Sequence, residues 1–143
     1  METVKQLLDK KGREVWSILG DTLMYDALKM MDDKNVGGLL VQEGDTYTGF
    51  LSERDYARGV VRESDITLNS QVKEVMTTRV LYVTPTHKIE ECMALMIEKR
   101  VRHLPVKDGD IFVGVVSIGD VVKTVISQQK FMIEQLENYI TGS

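Results

Sequence analysis

Apolar residues recur along this chain in two alternating rhythms, helical runs with a period near 3.6 and short strand-like runs, and the whole alternation occurs twice. Val4, Leu7 and Leu8 stand at helical spacing and predict a short amphipathic helix ending near Lys11-Gly12. Val15, Trp16 and Ile18 follow as a strand-like run before Gly20-Asp21. Met24, Ala27, Leu28 and Met31 then fall at i, i+3, i+4 and i+7, which places one apolar stripe of a helix against a sheet. Leu39-Leu40-Val41 and Gly49-Phe50-Leu51 flank the turn Glu43-Gly44-Asp45, a β-hairpin with the usual Gly and Asp turn chemistry. Tyr56, Ala57, Val60 and Val61 mark a further helix.

The same order returns 65 positions later. Val80, Leu81 and Val83 take the place of the first strand, and Ile89, Cys92, Met93 and Met96 that of the helix stripe. Leu104-Pro105-Val106, Asp108-Gly109-Asp110 and Gly114-Val115-Val116 repeat the hairpin; Val121, Val122, Val125 and Ile126 repeat the closing helix. One ungapped register matches Val36 with Val101, Leu39 with Leu104, Gly44 with Gly109, Gly49 with Gly114, Ser52 with Ser117 and Asp55 with Asp120. The expected fold is α/β (α+β): two β-α-β-β-α units with added N- and C-terminal helices. Residues 62–70 carry no apolar period and read as a linker. The expected boundaries are 1–66 for the first unit with its N-terminal helix, 67–127 for the second unit, and 128–143 for an amphipathic C-terminal helix. That last helix, Gln128–Ile140, needs a cover for its apolar face, either the chain's own core or a second chain.

At 143 residues the chain suits one compact domain or two small units, and a half of roughly 65–70 residues would bury too little apolar surface to be comfortable alone. A net charge of −4 without a Lys/Arg block sets aside nucleic acid and anionic membrane as main partners. The single Cys92 excludes an internal disulfide and a multi-cysteine metal site, so no metal site is expected. No signal-peptide core or membrane-length apolar run occurs, and the expected location is cytoplasmic. Convergent acid, base and nucleophile are also missing: the histidines are His87 and His103, Cys92 lies on an apolar stripe, and no phosphate-binding glycine loop is present. No catalytic residue is therefore assigned.

What remains for chemistry is the duplicated S-x-x-D, Ser52-Glu53-Arg54-Asp55 and Ser117-Ile118-Gly119-Asp120, each after a strand and opening a helix. Two readings stand side by side. One is a capping box, Ser and Asp satisfying each other's backbone amides. The other is a ligand site: helix N-termini favour anions, and a carboxylate there can accept from two vicinal hydroxyls, as ribose offers.

Two such motifs in register, in this element order, give the stretch from about Val4 to Ile126 a strong resemblance to a tandem pair of cystathionine-β-synthase (CBS) domains, or Bateman module. The resemblance implies units packed face to face with pseudo-two-fold symmetry and a G-h-h-[ST]-x-x-D signature that contacts adenosine nucleotides. Gly114, Val115, Val116, Ser117 and Asp120 match it, as do Gly49, Phe50, Leu51, Ser52 and Asp55. Carried over, the Asp120 cleft takes Val115 and Ser117 with Val15, Trp16, Val36 and Gly37; the Asp55 cleft takes Phe50 and Ser52 with Val80, Leu81, Val101 and Arg102. Ordinary core packing is the competing role for Trp16 and Leu81.

This segment resembles the nucleotide-binding regulatory subunit of the AMP-activated kinase, in which the two residues before L-P-V are basic and face phosphate; that resemblance makes Arg102 and His103 the phosphate candidates, with Arg54 and Arg58 adding positive field. The first unit has Gly37-Gly38 in their place and Glu53 beside its helix start, so the Asp120 cleft is expected to be the tighter. The implied function is a stand-alone regulatory module sensing an adenine nucleotide as regulatory ligand, AMP first, then ADP, ATP or NAD, and binding without turnover. A homodimer through the helices and a protein target of unknown identity are the implied partners. The rival reading is a protein-interaction adaptor with vestigial clefts.

Overall fold

The computed structural model describes residues 2–141. In chain order the elements are α1 (Val4–Lys11), β1 (Ser17–Leu19), α2 (Met24–Lys34), β2 (Gly38–Glu43), β3 (Thr46–Ser52), α3 (Glu53–Arg62), α4 (Val72–Val75), α5 (Ile89–Lys99), β4 (His103–Asp108), β5 (Ile111–Ser117) and α6 (Ile118–Thr141). They form two compact units. One is Val15–Leu81; the other joins the segment up to Glu14 to everything from Tyr82 onward. Residues 1, 142 and 143, which the expected boundaries included, lie outside the described residues.

In the Val15–Leu81 unit, β1 pairs in parallel with β2 and β2 antiparallel with β3. The predicted stripe of α2 supplies Met24, Ala27 and Met31 to a core completed by Leu39, Val41, Leu51 and Val72. Apolar side chains buried in this way contribute roughly 1.5–3 kcal/mol each. The other unit buries Val4, Leu8, Ile89, Cys92, Met96, Leu104, Val106, Val116 and Val121. Its hairpin β4–β5 even repeats the irregularity of β2–β3, a register shift after Val106 where the first has one after Val41.

The duplication stops at the first strand. Val80 and Leu81, expected to be strand, are irregular, and only Val83 pairs, through a single bridge to Val106. The reason is Pro105. In the first unit the Leu40 amide donates to the Trp16 carbonyl; its counterpart Pro105 has no N–H, so the Leu81 carbonyl loses that donor.

One correction concerns how the chain groups in space, not its boundaries in sequence: α1 packs with the later half of the chain. The Val4 and Lys5 amides donate to the carbonyls of His87 and Pro85, and Thr3 bridges Lys88. Residues 71–76, QVKEVM, resemble residues 3–8, TVKQLL, at a spacing of 68 rather than 65. The one-turn helix α4 in that segment makes the equivalent bonds in the other unit, Val72 and Lys73 donating to Thr22 and Gly20. Each half of the chain thus lends its leading helix to the unit built mainly from the other half. A Cβ on Gly114 would meet Leu8 at 2.7 Å, and one on Gly49 would meet Met76 and the Thr77 carbonyl at 2.7 Å. The motif glycines are seats for these lent segments.

A second correction concerns the C-terminus. The tail is the continuation of α6, because no Gly or Pro interrupts the sequence between Asp120 and Thr141. Phe131, Met132, Ile133 and Leu136 are all more than half exposed, so the chain's own core does not cover them.

Candidate functional site

Both S-x-x-D motifs sit where a strand turns into a helix, β3 into α3 and β5 into α6, and both form the reciprocal cap. The Ser52 amide donates to Asp55 Oδ2 at 2.9 Å and the Asp55 amide to Ser52 Oγ at 3.1 Å. The Ser117 amide donates to Asp120 Oδ2 at 2.9 Å and the Asp120 amide to Ser117 Oγ at 3.2 Å. The capping-box reading therefore holds in both copies. It occupies Oδ2 alone and fixes the carboxylate at the helix start, a place that also suits a ligand-facing group.

A third partner differs between the copies. Asp55 Oδ1 accepts from the Thr77 hydroxyl at 3.2 Å. Asp120 Oδ2 accepts from Lys11 Nζ at 2.6 Å, and the same ammonium donates to the Val115 carbonyl at 2.7 Å. Both partners are delivered by the lent segments, Lys11 from the end of α1 and Thr77 from just after α4. Sequence reasoning missed both. Lys11 is 109 positions from Asp120, and no local period encodes that meeting.

The flanks differ as well. His103 lies opposite Ser117 across β4–β5, and the Ile118 amide donates to the Arg102 carbonyl, so Arg102 and His103 adjoin the Ser117–Asp120 turn. At the equivalent place Gly38 lies opposite Ser52 and the Glu53 amide donates to Gly37. A Cβ on Gly38 would fall 2.5 Å from the Phe50 ring. The Phe50 ring is buried over that glycine, which leaves little of its face for a ligand.

Among the remaining candidates, Trp16 and Val36 are half-buried against the core of their unit, and the Lys34 ammonium lies 4.4 Å from the Trp16 ring centre. This is packing, with part of the ring still exposed. Val15, Gly37, Val80, Leu81, Val101, Val115 and Arg54 are also partly accessible, and Arg102 is exposed. A groove of about 560 Å³ runs along α6, lined by Ile118, Val122, Ile126 and Lys130 among others, and none of the candidate residues lines it. Among the described residues there is no cluster of potential metal ligands, and no helix is long and apolar enough to cross a membrane. Burial, with a smaller push from Glu91 and Glu90, raises the Cys92 thiol from 9.0 to about 11.

The CBS-domain family model matches residues 4–62 and again residues 72–127. The chain belongs to the CBS-domain family. A mitochondrial CBS domain-containing protein of Arabidopsis thaliana, CBSX3, is 34% identical over 98% of this chain and 72% of its own length. A solved CBS-domain protein from Burkholderia ambifaria is 46% identical with a TM-score of 0.83, covering 90% of this chain and 96% of that one. The CBS pair of protein MJ0100, solved in complex with 5-methylthioadenosine and S-adenosyl-L-methionine, shares the fold at 18% identity and a TM-score of 0.74, covering 87% of this chain and 99% of that one. The CBS family boundaries place α1 with the first copy in sequence, whereas in space α1 completes the second.

Proposed function

We propose that this CBS pair is a stand-alone regulatory module that binds an adenosine nucleotide at its S-x-x-D sites, AMP foremost, with ADP, ATP or NAD as alternatives. The observation that carries the reading is the Asp120 carboxylate. It is pinned at the helix start by the Ser117 amide and the Lys11 ammonium through Oδ2, and its side chain keeps 22% exposure. An oriented carboxylate oxygen next to a partly accessible strand carbonyl suits the paired hydroxyls of a ribose. MJ0100, similar in fold alone, is complexed with adenosine derivatives, which supports that ligand class as the first to test.

Binding without turnover is part of the same proposal. Ligand held by the sites would bias how the protein packs against a second copy or a protein target, by no more than its difference in affinity between the packed states. A homodimer formed through the exposed helix faces, and a cytoplasmic location, belong to the same proposal. Arg102 and His103 beside the Ser117 turn favour the Asp120 site as the tighter for a phosphorylated ligand.

Titration calorimetry with AMP tests this. Asp120→Asn keeps an oxygen for the Ser117 amide but removes the charge, and it is expected to weaken AMP by at least about tenfold, as loss of a charged hydrogen-bond acceptor does. Asp55→Asn is expected to do less. If neither substitution changes the titration, the nucleotide reading fails and the adaptor reading takes its place.

A further inference from the structure

We propose that Lys11 makes the Asp120 site selective for adenosine ligands that carry a 5′-phosphate over uncharged adenosines. This rests on the ribose-binding role of Asp120 and adds which ligands that site prefers. A carboxylate that holds a ribose also repels the phosphate attached to the same sugar. At Asp55 the third partner is a neutral hydroxyl, which adds no charge of its own; at Asp120 it is an ammonium. The ammonium cancels the carboxylate charge at the point where the phosphate would feel it.

Three features make Lys11 a dedicated cation. Its helix is anchored, because Val4 and Leu8 are fully buried and Leu8 lies against Gly114, so the side chain always emerges beside Val115 and Asp120. Its ammonium has three protons, of which two are directed at the Val115 carbonyl and Asp120 Oδ2; the third remains for a ligand. Finally, the pair is loosely held. The Lys11 side chain is 39% exposed and that of Asp120 22%, and partly exposed ion pairs are worth about 1 kcal/mol or less. When hydroxyls take over the carboxylate, a turn of the lysine stem brings the charge to the phosphate. Nearby Arg13 is already paired with Asp9, so it does not substitute.

The test is calorimetry on the full chain in an Asp55→Asn background, comparing AMP with adenosine. Lys11→Met, which keeps the stem, is expected to reduce AMP affinity about tenfold while adenosine changes less than about twofold, and Lys11→Arg is expected to restore AMP. A thermal melt checks that each variant is folded. If AMP and adenosine shift by the same factor, Lys11 is a structural latch or a plug and the selectivity proposal is overturned, with the nucleotide reading intact. If neither ligand binds the chain with Lys11 in place, the nucleotide reading itself falls and takes this proposal with it.

Discussion

Asp55 and Asp120 occupy matching places in two copies of one design, and their capping bonds agree to within 0.1 Å. Their third partners do not agree at all, a threonine hydroxyl in one and a lysine ammonium in the other. Duplication has preserved what the backbone requires, a closed helix start, and released what it does not, the charge beside the carboxylate. The lent segments carry the difference. They fasten onto the host unit by similar main-chain bonds, so their buried positions are constrained while the residues just beyond are free to diverge.

The comparison can be tested first at the seats of those segments. Adding a methyl group at Gly49 drives it into the Thr77 carbonyl, part of the main chain, whereas at Gly114 it meets side-chain atoms of Leu8, which can shift more readily than a backbone. Gly49→Ala is therefore expected to cost about 3 kcal/mol and Gly114→Ala about 1 kcal/mol by denaturant unfolding. The reverse order would mean that α1, not α4, is the rigidly seated element.

Removing each cap is expected to be more even. Asp55→Ala and Asp120→Ala should each lose about 1 kcal/mol, because the Ser amide loses its acceptor in either copy. A markedly larger loss at Asp120 alone would show that the Lys11 bridge also holds α1 in place.

Cys92 and its counterpart Ala27 are both fully buried, yet only the thiol titrates. Its folded pKa lies above its unfolded one, so the folded state keeps a proton that the unfolded state releases. That stabilisation is complete below pH 9 and is lost as pH rises toward 11. Unfolding followed against pH should show a fall of roughly 1 kcal/mol by pH 10. Cys92→Ala should flatten that component, and a profile unchanged by the substitution would assign the alkaline loss to other groups.

The smallest effect belongs to the third partners themselves. Lys11→Met should change stability by less than about 1 kcal/mol, and that change should shrink in high salt; Thr77→Val should be insensitive to salt. A salt-independent loss at Lys11 would point to packing of its stem and would weaken the charge argument.

Much of this was legible in the sequence because it is local or periodic. The helix stripes, the two hairpins and the paired Ser and Asp positions all follow from residues a few places apart. The one-turn helix α4 escaped because four residues cannot show a period, and because its likeness to α1 runs at a different spacing from the rest of the repeat. Leu81 reads as strand because its apolar neighbours resemble those of Trp16, while the deciding residue, Pro105, lies elsewhere in the sequence, on β4. The expected separation of a C-terminal helix from α6 has no basis in the residues, since nothing between Asp120 and Thr141 breaks the helix. Lys11 was invisible for a different reason. Its importance depends on which unit receives α1, and that choice is made by burial of Val4 and Leu8 against a hairpin more than a hundred residues away.

The exchange of leading helices also sets how the gene can be divided. A cut at the seam between the two copies would yield two fragments, each holding the foreign helix and lacking its own, so neither could close its hydrophobic interior by itself. Supplied together, the fragments would be interlocked by main-chain bonds given in both directions, and recombination between related genes would succeed at Glu14 and Leu81 rather than at the apparent midpoint.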